Sequence, residues 1–305
     1  MHLTAGITNI SRASLHDGPG VRTVVYFKGC NLRCKWCHNP ETISQKPEIL
    51  YIPTKCIHCG KCVDAFPQCH TIEDGNMKIL RDVCVGCGKC ADLCPSGALS
   101  LSCNNMTVDG VMKEIHKDKP YFLQSGGGVT LSGGECLLHG DFCARLLEAC
   151  KAEQIHTMIE TALFVPWQQI EKVLPHCDGF FADFKIPDPE KHRQYTAQAN
   201  DLILTNLHRL ANAAPGKVTV RIPLIPGVND SSPDIQGFAD KLSPFAGKLS
   251  AIEVLRYNPL AQSKYRHCGK DYTDFGEAQS DEFMLAFCAR LEEALAYKAK
   301  VFTLL

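Results

Sequence analysis

Gly29-Cys30-Asn31-Leu32-Arg33-Cys34-Lys35-Trp36-Cys37-His38-Asn39 is the stretch around which the chain is organised. It places three cysteines in a C-x3-C-x2-C array directly after the apolar run Val24-Val25-Tyr26-Phe27. Three thiolates on one short loop can hold three corners of a [4Fe–4S] cube. No fourth cysteine follows at cluster spacing. Full cysteine ligation is the usual state of an electron-transfer cluster, so an open corner points to chemistry at the iron. A structural zinc loop needs four ligands, and this loop has no nearby fourth.

Around that loop the composition is that of an ordinary globular protein. The 305 residues suffice for one large core or two smaller ones. Hydrophobic content of 45% with 21% charged residues fits a folded chain. A formal net charge of -1 leaves no broad electrostatic footprint for nucleic acid. No apolar stretch approaches a membrane span. Met1 to Ser14 lacks the basic start and apolar run of a secretory signal. Eighteen cysteines without such a signal read as metal ligands rather than disulfides, and the expected location is cytoplasmic, in an anaerobic or strongly reducing cell.

Downstream, Tyr51 to about Cys103 reads as an insertion. It carries Cys56-x2-Cys59-x2-Cys62, then Cys84-x2-Cys87-x2-Cys90-x3-Cys94-Pro95. The second run matches the bacterial ferredoxin pattern, in which the fourth cysteine of a run ligates the other cluster. Cys94 is therefore assigned to Cys56, Cys59 and Cys62. The fourth cysteine of the first run is expected at position 66, but Phe66-Pro67 stands there. Cys69, three residues on, is the substitute assigned to Cys84, Cys87 and Cys90. A three-cysteine cluster or a non-cysteine ligand are the alternatives.

The remainder alternates helix and strand patterns. Strands are expected at Val21–Lys28, Gly127–Leu131, His156–Glu160, Phe180–Phe184, Val218–Leu224 and Ile252–Tyr257, with a short last one at Val301–Leu305. Helices are expected at Val108–Lys117, Asp141–Lys151, Leu202–Ala213 and after the N-cap Ser280, the last burying Phe283, Phe287, Leu291 and Leu295. The polar segment before Arg22 is a lead-in. This order predicts an α/β parallel sheet with right-handed crossovers, closed as a partial barrel. Chemistry then belongs at the C-terminal strand ends, where the cysteine loop emerges. Cys143, Cys150 and Cys288 fall on core faces of helices; Cys103, Cys136, Cys177 and Cys268 have no partners at ligand spacing.

Polar residues recur at those strand ends: Ser132-Gly133-Gly134-Glu135, Glu160-Thr161, Asp183 and Lys185, Arg221, and Asn258. Singly each is a rim charge. Repeated on successive strands they mark a site, in which the glycines expose backbone and Glu135 can meet a cationic group.

The C-x3-C-x2-C loop, with aromatic Trp36 before its last cysteine, resembles the radical S-adenosylmethionine (SAM) enzymes. Asp17-Gly18-Pro19-Gly20-Val21-Arg22, Phe27-Lys28-Gly29-Cys30, Cys37-His38-Asn39-Pro40-Glu41, Gly126-Gly127-Gly128-Val129-Thr130-Leu131-Ser132-Gly133-Gly134-Glu135 and Asp183-Phe184-Lys185 narrow this. Together they are similar to the glycyl-radical-enzyme activating enzymes, relatives of pyruvate formate-lyase activating enzyme, in the subgroup with a two-cluster insertion. The resemblance implies a partial (β/α)6 radical SAM barrel over 1–50 and 104–305 and a ferredoxin-like domain with two [4Fe–4S] clusters over 51–103. It implies that Cys30, Cys34 and Cys37 bind the SAM cluster, with Trp36 and His38 against the adenosine. Gly133, Gly134 and Glu135 would meet the methionyl end. Glu160, Thr161 and Asp183 would lie near the SAM carboxylate, where relatives can hold a monovalent cation, with Phe184, Lys185, Arg221 and Asn258 completing the wall. Lys185 is also placed with the catalytic groups. Asp17 would stand where the glycine loop of a partner glycyl radical enzyme enters. Flavodoxin or ferredoxin is the implied electron donor. Relatives often carry His where Asn258 stands, and Asn cannot take up a positive charge. Two other readings compete: a radical SAM enzyme for a small molecule, and a ferredoxin-type electron carrier, which leaves the open cysteine loop unexplained.

Overall fold

The computed structural model describes residues 3–304. Its largest element is a nine-stranded sheet. In chain order the strands are β1 (Thr4–Ser14), β2 (Arg22–Phe27), β3 (Asn104–Thr107), β4 (Gly128–Gly133), β5 (His156–Thr161), β6 (Gly179–Asp183), β7 (Val218–Leu224), β8 (Ala251–Arg256) and β9 (Val301–Phe302). Across the sheet they run β9-β8-β7-β6-β5-β4-β2-β1-β3. The neighbours from β2 to β9 are all parallel, while β1 is antiparallel to both β2 and β3. This is the α/β partial barrel expected, with an antiparallel edge. Among the described residues no helix is long and apolar enough to cross a membrane.

Parallel strands covered on both faces need long apolar runs rather than clean alternation. Val218, Val220, Ile222 and Leu224 are fully buried, as are Val24, Val25, Val129 and Leu131. The helices close over them with the expected faces, such as Val111, Met112 and Ile115 of Val108–His116. Cys143, Cys150 and Cys288 are buried with them, as are Cys103, Cys136, Cys177 and Cys268.

Three expectations change. The lead-in before Arg22 is largely the strand β1; only Ala5 and Ile7 of it are buried, so its apolar pattern is too thin to stand out. The helix Asp281–Ala294 buries Met284 in place of Phe283, which is 41% exposed. Phe184 is no wall residue: it is fully buried beneath the site, edge-on to Phe238 at 5.5 Å. Helices at Trp167–Val173, Pro189–Thr196, Ser232–Leu242 and Gln262–Cys268 add to those expected.

Between β2 and β3 the chain leaves the sheet. Ile49–Tyr51 pairs with Leu99–Leu101, and Ser102 N–H donates to Glu48 O at 2.8 Å, so the excursion returns to where it left. Within it a hairpin (His70–Glu73 with Asn76–Ile79) and two short helices pack on a small core of Ile49, Met77, Cys90 and Leu99.

The burial of Phe184 sets a test. Phe184→Ala should destabilise the fold by about 3–5 kcal/mol, because neighbours this closely packed relax only partly into the cavity. Denaturant unfolding would read it; a loss under 1 kcal/mol would return the residue to the ligand wall.

Candidate functional site

The cysteine loop is positioned through its backbone. Gly29 and Cys30 N–H groups donate to Thr42 and Ile43 carbonyls (2.7 and 3.1 Å), and Arg33 and Lys35 N–H groups to Thr196 and Tyr195 (2.8 and 3.0 Å). Lys264 Nζ holds the His38 carbonyl at 3.1 Å and Asn39 Oδ1 at 2.7 Å. A loop held at so many points keeps its three thiols in place before any ligand binds.

The end of β4 lies directly beneath. A Cβ on Gly134 would sit 2.2 Å from the Gly29 carbonyl oxygen, so only glycine lets the two segments meet. The backbone here is already committed: Gly134 N–H donates to Phe27 O (3.0 Å) and Glu135 N–H to Gly29 O (2.8 Å). The glycines therefore join the loop to the barrel rather than offer free donors.

Cys30, Cys34 and Cys37 face a cavity of about 250 Å³. Also lining it are Trp36, His38, Gly133, Gly134, Glu160, Thr161, Asp183, Lys185 and Asn258, with Leu255 and Tyr257 from the end of β8. Most of the expected site residues thus converge on one space. Burial pushes the thiols up, Cys30 and Cys34 to about 12 and Cys37 to about 11, so all three are protonated when free. Trp36 packs against Tyr195 and Phe275 (6.2 and 6.1 Å between ring centroids). Burial lowers the His38 pKa, with Lys264 adding to this and Asn258 opposing it, which keeps the imidazole neutral.

Charge is layered below. Lys185 Nζ donates to Asp183 Oδ2 at 2.6 Å. Burial disfavours the Lys185 ammonium, but Asp183 and the cysteines outweigh it and the pKa rises. Burial raises that of Asp183, with Glu160 adding to the effect and Lys185 opposing it. Glu160 is held ionised despite burial by Arg221, at 2.8 Å, and by Ser132 Oγ, which donates at 2.5 Å.

Four expected residues lie off the cavity. Phe184 is in the core. Glu135 is fully buried with its carboxylate spent internally: Thr161 Oγ1 donates to it at 2.8 Å, Ala162 N–H at 2.9 Å and Leu137 N–H at 3.2 Å. Burial still raises its pKa to about 7. Arg221 stands behind Glu160 and lines a second cavity at the opposite, N-terminal end of the strands. Its ring-stacked guanidinium, 3.4 Å over Phe181, also binds Glu253 (2.7 Å) and the His16 carbonyl (3.0 Å). Asp17 accepts from Ser14 Oγ, and its carbonyl accepts from Thr130 Oγ1 at 2.7 Å. Glu253 was missed by sequence reading, although a lone carboxylate within Ala251-Ile252-Glu253-Val254-Leu255 was a usable signal.

In the excursion, Cys56, Cys59, Cys62 and Cys94 line one small cavity of about 60 Å³. Backbone N–H groups of Leu99, Ala98 and Ser96, with the Ser96 hydroxyl, lower the Cys94 pKa against the effect of burial. Cys69 lies near Cys84 and Cys87, while Cys90 sits beside both of these. The helix Lys61–Ala65 ends at Phe66, and the turn that follows (Cys69 N–H to Phe66 O, 2.9 Å) delivers Cys69 to that group.

The donor set fits an iron–sulfur cluster with an open coordination position: three thiols on one side of a cavity, polar strand ends on the other. The profile of the Radical SAM superfamily matches residues 24–239. A (2S)-3-sulfopropanediol dehydratase activating enzyme of Klebsiella oxytoca is 42% identical over 273 residues, 87% of this chain and 86% of that one. A trans-4-hydroxy-L-proline dehydratase activating enzyme of Clostridioides difficile is 36% identical over 97% of this chain and 98% of its own. Among solved structures, Streptococcus suis SuiB bound to its precursor peptide covers 92% of this chain and 48% of that one at 14% identity, with a TM-score of 0.52, a likeness of fold alone. The chain belongs to the radical SAM superfamily and, within it, to the activating enzymes of glycyl radical enzymes.

Proposed function

We propose that Cys30, Cys34 and Cys37 hold the [4Fe–4S] cluster of this radical SAM enzyme and that SAM occupies the cavity they face. The observation that carries this is the convergence of all three thiols and the polar ends of β4, β5, β6 and β8 on one space. Held there, the cluster would supply the single electron that splits SAM into methionine and a 5′-deoxyadenosyl radical, the species that takes hydrogen from a glycine of the partner enzyme.

The chain's own residues bind, align and insulate. Trp36 and His38 offer a flat wall for the adenosine, with Asn258 beside the imidazole. Glu160, Thr161 and Asp183 form the acidic side toward the methionyl end. With Glu253 they set three carboxylates against Lys185 and Arg221. The surplus negative charge suits the SAM ammonium, or a monovalent cation beside its carboxylate. Glu135 acts from behind by fixing Thr161. Water must be kept from so reactive a radical, and the apolar rim of Leu255, Tyr257 and Ile225 serves that end.

The two cysteine sets of the excursion would hold two further clusters, Cys56, Cys59, Cys62 and Cys94 in one, Cys69, Cys84, Cys87 and Cys90 in the other. They would pass electrons inward from flavodoxin or ferredoxin. The Cys84–Cys90 loop is the one against the barrel: a Cβ on Gly86 would lie 2.1 Å from the Pro47 carbonyl. Asp17, on the loop beside the N-terminal cavity, is assigned to entry of the partner's glycine. The direct test is a glycine-centred EPR doublet on a candidate partner after incubation with the reduced protein and SAM.

Replacing Cys30, Cys34 and Cys37 together by Ala should remove about four of about twelve irons per chain and abolish 5′-deoxyadenosine formation; full activity in that variant would end the assignment. Asp183→Asn should weaken SAM binding by about 1.5–3 kcal/mol, read by calorimetry, if a charged group of SAM meets that carboxylate. Cys87→Ala should slow activation driven by flavodoxin while sparing activation driven by a small-molecule reductant, and equal rates with both would rule out a relay.

A further inference from the structure

The helix Gln262–Cys268 is strapped to the cysteine loop by Lys264, on His38 O and Asn39 Oδ1, and by Lys270 just beyond it, on Pro40 O at 2.8 Å. Tyr265, between those two anchors, is 6% exposed. Its hydroxyl has no hydrogen-bond partner. The ring stands edge-on to Tyr272 at 5.4 Å, and the Tyr272 hydroxyl is already engaged with Tyr257 (2.9 Å) and the Pro259 carbonyl (3.1 Å). Burial raises the Tyr265 pKa, and the neighbouring Cys37, Cys34 and Tyr272 side chains add to this while the Cys37 N–H opposes it. That N–H is given to the Cys34 carbonyl at 3.1 Å. Tyr265 and Cys34 also line a cleft separate from the SAM-side cavity, with Cys34 common to both.

A buried phenol without an acceptor calls for an explanation, because tyrosine hydroxyls taken from water nearly always find one. The thiols of Cys34 and Cys37 are poor acceptors. Their thiolates, once iron is bound, are good ones. We propose that Tyr265 is a positioning residue for the SAM cluster, donating its hydroxyl to a ligating sulfur on the Cys34–Cys37 turn and so raising the cluster's reduction potential. A hydrogen bond to a cluster sulfur stabilises the reduced, more negative state. The residue acts through the cluster and touches no substrate. The inference rests on the assignment of Cys30, Cys34 and Cys37 as ligands.

The test uses the full-length, iron-loaded protein and follows the reduced-cluster EPR signal that changes on adding SAM, which separates this cluster from any other. Tyr265→Phe keeps the ring packing and removes only the donor. Its SAM-responsive signal should titrate at a more negative potential, and the exchangeable-proton coupling seen in wild type, lost in deuterated buffer, should be absent. Site-specific 3-fluorotyrosine at 265, a stronger donor, should move the potential the other way. This second substitution decides the matter if the phenylalanine variant loads iron poorly. An unchanged potential with an unchanged proton coupling overturns the role of Tyr265 while leaving the cluster assignment intact. If the cysteine-loop triple variant keeps the SAM-responsive signal, the ligand assignment falls and the tyrosine role with it.

Discussion

The tightest constraint in the molecule is the contact between two pieces of backbone. The cysteine loop can lie over the barrel mouth only because β4 ends without side chains, and a single methyl at Gly134 would strike the Gly29 carbonyl. The loop's N–H groups go to the Thr42, Ile43, Tyr195 and Thr196 carbonyls, so its shape is fixed by structure on both sides of the barrel opening. A loop held at so many points has little chain entropy left to lose when its side chains are engaged. The same rigidity hands the cavity a fixed ceiling against which the polar strand ends are arranged.

Beneath that ceiling the charges run across strands rather than along them. Asp183, Arg221 and Glu253 are register partners on β6, β7 and β8, and Glu160 lies one strand further over. Arg221 is held by two carboxylates, a backbone carbonyl and an aromatic face, so it forms a floor between the two ends of the barrel. Buried ions on this scale are tolerated when every partner is present, and removal of one leaves the rest uncompensated. The layer thus fixes Glu160 at the cavity the three cysteines face, from the strands behind it.

Much of this was legible from the residues. The parallel core announced itself in the unbroken apolar runs at Val218–Leu224 and Val129–Leu131, and the site in charges interrupting the ends of such runs. The strand β1 escaped notice because, although it is paired on both sides, it buries only Ala5 and Ile7 and so leaves no apolar pattern. Glu135 was placed in the cavity on its motif position, and Arg221 as a polar residue interrupting an apolar strand. Which way a side chain turns from a strand end depends on competing partners, here Thr161 and Ala162 for one and Glu253 for the other, and those are brought together only by the fold. Phe184 followed the same logic: its neighbours Asp183 and Lys185 flank the cavity, and alternation sends the residue between them inward. The nearness of Cys69 to Cys84 and Cys87 was expected from count and spacing, while the turn after Phe66 that brings it there was not.

The excursion between β2 and β3 enters and leaves through one doorway. Glu48 and Ser102 bond each other by backbone and side chain, and Glu48 also ties Lys28 of the barrel to Lys270 just beyond the strapping helix. A segment hinged this way behaves as a cassette. Evolution could splice it in or out across two adjacent residues while every barrel strand kept its register, so that the cysteine-rich excursion and the barrel could be inherited as separable parts.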